Sequence, residues 1–192
     1  MMKHFIFLFL IFISCSKVES QQLNSMNVPQ ERISEVKNYI KGKEYNQELA
    51  VFINFKMPSG KYRYFIYNLK KNTIVQQAVV SHGSGSVIPR SDALKFSNTE
   101  GSYQSSLGKY AIGESYVGKF GKAYRLKGLD STNSNAMQRA IVLHSYGCIP
   151  DAESQTPACL SLGCPMLSVN ALKETAKYID QSTKPVILYA FY

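Results

Sequence analysis

The sequence predicts a mostly β domain of the α+β class, with a peripheral helix or two. Three observations carry that expectation. Strand-length runs of aromatic and β-branched residues fill the middle of the chain. Turn signals rich in Gly, Pro, Ser and Asn separate those runs. Apolar residues at helical spacing occur near the two ends. With 192 residues, 45% apolar and 18% charged, the chain suffices for one domain with its own core. This composition excludes wholesale disorder, and no apolar run approaches the roughly 20 residues of a membrane-spanning helix.

Taken in order, the chain begins with Lys3 and His4, nine apolar residues from Phe5 to Ile13, and then Ser14-Cys15-Ser16-Lys17. A basic start, a short apolar run and a small residue at its end describe a secretory signal peptide over residues 1–14. Cys15 stands where a bacterial lipoprotein signal places the cysteine that takes lipid, so the expected product is an exported, membrane-anchored lipoprotein of the periplasm or cell envelope. Residues 15–28 read as the lipidated cysteine and a polar, flexible tether. Pro29 opens a helix within residues 29–47, with Ile33, Val36, Tyr39 and Ile40 on one face and Gly42 as its stop. Strand runs follow at Leu49 to Phe55, Tyr62 to Leu69 and Thr73 to Val80, the first two joined by the turn Met57-Pro58-Ser59-Gly60. Residues 83–108 read as functional loop. Shorter strands are expected at Lys109–Ile112, Ala123–Lys127 and Ala140–Ser145. Ser168 is placed to cap a helix whose Leu172, Ala176 and Ile179 share a face, and Pro185 admits a last strand, Val186 to Tyr192. The formal charge of +9 favours anionic surroundings. The basic residues are scattered, with no run interleaved with aromatics, so no nucleic-acid partner is expected.

Chemistry concentrates in residues 139–166. A buried strand, Ala-Ile-Val-Leu, delivers His144-Ser145. After sixteen intervening residues comes Ser161-Leu162-Gly163-Cys164. A thiol becomes a nucleophile when an imidazole takes its proton, and a glycine before it permits a tight turn that aims amide N–H groups at an oxyanion. Two blander readings compete at this point: a structural Cys164 with an ordinary His144, or four zinc ligands in His144, Cys148, Cys159 and Cys164. The spacing lacks the tight Cys-x-x-Cys pair of most zinc modules, and an oxidising compartment favours a disulfide. Counting adds a constraint. If Cys15 carries lipid, three cysteines remain, and a Cys148–Cys159 bond would close the loop between His144 and Cys164 while leaving Cys164 free.

His144-Ser145 followed at this spacing by Ser161-x-Gly163-Cys164 resembles the signature of the bacterial L,D-transpeptidase catalytic domain of the YkuD type, in the branch called the murein L,D-transpeptidase catalytic domain family. Val80-Ser81-His82-Gly83-Ser84-Gly85, Ser105-Ser106-Leu107-Gly108-Lys109-Tyr110 and Asn135-Ala136 ahead of Arg139 are similar to that branch too, so the resemblance covers roughly residues 48–192. Leu162 departs from the family's usual His, and Leu160 from its usual Arg. The resemblance implies an L,D-transpeptidase-like β-sandwich or mixed sheet. It implies Cys164 as nucleophile, His144 as base, the Ser145 backbone as orienting group and Gly163 beside the oxyanion. His82, Ser106, Gly108, Arg139, Tyr146 and Ser161 are the substrate-contact candidates it implies, with Arg139 or Lys109 as a basic clamp. Its expected substrate is the peptidoglycan stem peptide, acylating the cysteine with loss of D-Ala and passing to an amine or to water. A non-catalytic wall-binding protein on the same scaffold is the alternative. No metal or organic cofactor is implied, family members are commonly acylated by carbapenems, and a monomer is expected.

Overall fold

The computed structural model describes residues 27–192. The expected signal segment, Cys15 and most of the tether lie outside the described residues. Helix α1, Gln30–Ile40, starts directly after Pro29, whose carbonyl accepts the Arg32 and Ile33 amides. Its Ile33, Val36 and Ile40 are buried against Ala50, Phe52, Phe65, Ile187 and Phe191. Val28 is fully buried in the same cluster, and Asn54 donates to the Asn27 carbonyl. The last two residues of the expected tether are therefore packed onto the domain.

Eight strands follow: β1 Leu49–Asn54, β2 Tyr62–Asn68, β3 Thr73–Val79, β4 Gly108–Gly118, β5 Gly121–Gly128, β6 Val142–Ser145, β7 Met166–Leu167 and β8 Ile187–Phe191. Helix α2, Val169–Ile179, lies between β7 and β8. The strands form one sheet in the order β3-β2-β1-β8-β4-β5-β6-β7. Neighbours are antiparallel except β1–β8 and β6–β7, which are parallel. Strand β1 shows why its sequence is almost continuously apolar. Successive side chains point to opposite faces, so Ala50 and Phe52 meet α1 while Val51 and Ile53 enter a second core on the other side.

That second core requires the sheet to curl. Tyr64 and Ile66 on β2 and Ala78 on β3 share it with Tyr124 and Leu126 on β5 and Leu143 on β6, although these strands stand far apart in the sheet order. Leu172 and Ile179 of α2 fill the interior. Ser168 caps α2 by accepting the Ala171 amide at 3.0 Å, as its position in the sequence suggests. The two sheet edges are also tied. The Ser81 amide donates to the Met166 carbonyl and the Met166 amide to Ser81 Oγ, both at 3.0 Å. Gly83 bridges Ser161 in parallel fashion just beyond.

The fold matches the expected mostly β architecture with peripheral helices, as a curled mixed sheet. One element is longer than the sequence reading gave it. The strand expected at 109–112 continues to Gly118 and turns at Lys119-Phe120 into β5, making a long hairpin. Gly113, Glu114 and Ser115 are exposed and sit at a register shift between Ile112 and Ser115. The outer half of the hairpin thus lacks the apolar alternation that marks a strand.

Candidate active site

Strand β6 carries His144, and the parallel register sets His144 beside Met166. Cys164, two residues before Met166, therefore falls beside Val142, whose amide donates to its Sγ at 3.4 Å. Val142 and His144 are two apart and share a sheet face. Val142, His144, Cys164 and Met166 all line one cavity of about 480 Å³.

The state of each group follows from its contacts. His144 Nδ1 lies 3.1 Å from the Ser145 carbonyl, an atom that can only accept. Nδ1 therefore carries the proton in the neutral ring, and Nε2 keeps its lone pair. Burial holds the His144 imidazole below its ordinary value, with the Ser145 carbonyl pulling the other way. The Cys164 thiol, half-buried, points its hydrogen toward the Ala140 carbonyl at 3.7 Å. Burial pushes it up, opposed by the Val142 amide and the charge of Arg139. Both directions favour a neutral thiol beside a neutral imidazole, an arrangement in which the thiol could act as a nucleophile only with a base to take its proton.

Gly163 has φ +117°, and a Cβ there would stand 3.0 Å from the Gln104 carbonyl oxygen. Only glycine takes this turn without strain. The Gly163 amide is engaged by Ser161 Oγ at 3.1 Å. The Cys164 amide has no acceptor among the described residues, which leaves it as the N–H able to meet a developing oxyanion.

The other sequence candidates separate into two groups. Tyr146 and Ser161 line the cavity with Cys164. His82, Ser106, Gly108 and Arg139 do not. The Arg139 guanidinium is committed to the Ser97 and Gln104 carbonyls at 2.7 and 2.5 Å and to Ser106 Oγ at 3.2 Å, so it fixes the 97–106 loop behind Gly163. Ser106 is buried and hydrogen-bonded to the Tyr110 hydroxyl at 2.7 Å. Gly108 opens β4 at φ +114°, crowded by Asp130, Thr132 and Asn133. Lys109 pairs with Glu35 and Asp130 on the α1 side. His82 lines a different cavity, beside Arg63.

The sequence reading did not single out Tyr116, Lys119 or Phe120, which reach the cavity from the β4–β5 hairpin. Phe120 stacks on the His144 ring, with centroids 5.4 Å apart and planes 23° apart, and Tyr146 meets Phe120 edge-on at 5.3 Å. An aromatic flanked by Lys119 and Gly121 at a hairpin tip, where burial does not require one, was the available signal. Leu160 and Leu162, both substantially exposed, complete an apolar rim. Cys148 and Cys159 are joined in a disulfide, and Ile149 and Ala158 within that loop pack against Val79 and Met166. Sulfurs bonded to each other are not thiolate ligands, so the four-ligand zinc set does not form here. Cys164 is the free thiol among the described residues.

The sequence matches the family described as L,D-transpeptidase catalytic domain over residues 20–191. No curated protein sequence matches the chain. Among solved structures, the K307A mutant of the helical cell shape determining protein Pgp2 from Campylobacter jejuni shares 16% identity at a TM-score of 0.50, over 82% of this chain and 53% of that one. An L,D-transpeptidase from Mycobacterium smegmatis shares 11% identity at a TM-score of 0.44, over 76% of this chain and 59% of that one. An L,D-transpeptidase from Xylanimonas cellulosilytica shares 11% identity at a TM-score of 0.42, over 85% and 71%. The chain thus spans between half and three fifths of the length of the first two, and the Pgp2 likeness concerns the fold. The family match runs through α1 and every strand, and the chain belongs to the family of L,D-transpeptidase catalytic domains.

Proposed function

We propose that this protein is a peptidoglycan L,D-transpeptidase with Cys164 as its nucleophile. The observation that carries the reading is the shared cavity of Cys164 and His144, with His144 Nδ1 satisfied by the Ser145 carbonyl so that Nε2 keeps the lone pair a base needs. In the first step His144 takes the thiol proton, and sulfur attacks the carbonyl carbon of the third residue of a tetrapeptide stem. The Cys164 amide meets the oxyanion. The carbon–nitrogen bond to the terminal D-Ala breaks, and that amine leaves with the proton held on His144. In the second step the side-chain amine of a neighbouring stem attacks the thioester, restoring the thiol and forming a 3→3 cross-link.

Water in place of the amine would make the protein an L,D-carboxypeptidase. The cavity wall of Tyr116, Phe120, Leu160 and Leu162 argues for the amine, because apolar lining disfavours stray water near a thioester. A cell-envelope location, with lipid on Cys15, fits a substrate outside the cytoplasm. The test is product analysis with a disaccharide-tetrapeptide, wild type beside Cys164→Ala. A cross-linked dimer that has lost one D-Ala, absent with the variant, is expected. A trimmed monomer alone would assign the carboxypeptidase reaction, and neither product with a normal fold would leave a wall-binding scaffold.

A further inference from the structure

Behind the nucleophile segment lies a second cavity, of about 530 Å³, that the proposed reaction does not use. It is walled by Arg63, His82, Lys56, Phe55 and Leu160, among others. Arg63 is 1% exposed. Its guanidinium donates to the Val80 carbonyl at 2.8 and 2.9 Å, to the Met57 carbonyl at 3.2 Å and to His82 Nδ1 at 2.9 Å. All these partners are neutral. Among the described residues no carboxylate stands within ion-pair distance of it. A buried charge without a counter-ion is costly to hold, so a charge kept here without one needs a reason.

The contact with His82 defines what the cavity offers. Arginine only donates, so His82 Nδ1 accepts and is bare, which puts the proton of the neutral ring on Nε2. Burial and the charge of Arg63 push the imidazole down to about 4, and the ring is neutral at physiological pH. Among the described residues no protein atom accepts from Nε2, yet no buried side-chain N or O lacks a partner. Nε2–H is therefore not fully buried, and His82 is part of the wall of this cavity. Lys56, exposed, adds a second cation to the wall, and the acid there, Asp92, is exposed and among the described residues forms an ion pair with neither. The result is a pocket with a positive field, one directed donor and an apolar side at Phe55 and Leu94.

We propose that this cavity is a second binding site whose ligand is the carboxylate of a peptide. Its acceptor oxygens meet the His82 Nε2–H, and its charge offsets Arg63 and Lys56. Leu160 belongs to the walls of both cavities, so a peptide crossing that residue reaches both. This step rests on the reading of Cys164 as a site acylated by stem peptides, and it adds that a stem carboxylate is held one segment away from the reacting centre.

The experiment is an NMR titration of the intact protein with N-acetyl-D-alanine and, as the neutral control, N-acetyl-D-alaninamide. The chain has three histidines, which keeps the imidazole spectrum assignable. Saturable shifts of the His82 ring and the Arg63 Nε–H with the acid are expected, with at least tenfold weaker binding of the amide. Lys56→Glu, on an exposed position, is expected to weaken the acid threefold or more while carbapenem acylation of Cys164 proceeds at the wild-type rate. Equal binding of acid and amide, no saturable shift at His82, or a Lys56→Glu variant that binds like wild type would each overturn the proposal. Carbapenem labelling reports on the catalytic reading separately. Shifts at His82 in a protein that takes no carbapenem would sustain the site and sink the acylation.

Discussion

Replacing both Cys148 and Cys159 with serine removes a cross-link between residues 11 apart in sequence. In the unfolded chain, closing a loop of that size costs about 9–10 cal/mol/K of entropy, or about 3 kcal/mol at 25 °C. The folded loop has other attachments. The Tyr62 amide donates to Glu153 at 2.8 Å, the Ser154 amide to the Gly60 carbonyl at 2.8 Å, and the Ala158 amide to Ser59 Oγ at 3.2 Å. Ile149 and Ala158 remain buried. Neither sulfur position is buried, so serine fits both. The loss is therefore expected on the unfolded side, through added chain freedom, while the native loop stays in place. Equilibrium urea unfolding should show about 2–3 kcal/mol less stability and a steeper denaturant dependence, since the uncrosslinked chain exposes more surface. Carbapenem acylation of Cys164 should stay within twofold. A loss under about 1 kcal/mol with an unchanged slope would refute the entropic account. A large fall in acylation with little change in stability would mean the bond positions the Leu160–Cys164 segment instead.

Three further outcomes follow from the same geometry. Because burial raises the Cys164 thiol and lowers the His144 imidazole, the neutral pair should persist across neutral pH. Acylation rates followed by mass spectrometry should then hold down to below the ordinary histidine value and fall only there; a rate that peaks near pH 6.5 and declines above it would indicate an ion pair instead. His82, at about 4 when folded and near 6.5 when unfolded, gives the unfolded chain a proton that the folded chain lacks between those values. Stability should therefore fall as pH drops from 6.5 to 4, by up to about 3 kcal/mol, and His82→Gln, which keeps an acceptor for Arg63, should lose that part of the dependence in urea titrations. Phe120→Ala should slow acylation roughly two- to tenfold by removing the stack on His144, while alkylation of Cys164 by iodoacetamide stays near the wild-type rate; equal losses in both would point to general disorder of the cavity.

The strands with two buried faces were readable because both faces are apolar. Leu49–Asn54 and Tyr62–Asn68 stand within a residue of where aromatic and β-branched runs placed them. Helix α2 was readable from Ser168 and the Leu172–Ile179 face, which the core uses. The hairpin from Gly108 to Gly128 was only half legible, since its outer part stands in solvent and its sequence is free of core demands. For the same reason Phe120 went unremarked. The neighbourhood of His144 and Cys164 could be anticipated because one strand end and one glycine turn supply it. The places of Arg139 and His82 could not, because both depend on loops that meet only after the sheet has curled.

That curl is what links the chemistry to the fold. The loop Ser81–Ser86, leaving one sheet edge, meets Ser161 and Met166 near the other, through Ser84 N–H to the Ser161 carbonyl at 2.7 Å and Ser161 N–H to the His82 carbonyl at 2.9 Å. The Ser161–Cys164 turn is thus clamped on one flank by the first edge and on the other by β6. A turn at φ +117° held from both sides cannot relax toward an ordinary conformation. Cys164 keeps its place beside Val142 without drawing on Arg139, which is engaged behind it. The departures at Leu160 and Leu162 fall on the outward side of this turn, where side chains meet the cavity mouth and not the clamp. They can therefore alter what the rim recognises while leaving the thiol and imidazole where the fold sets them.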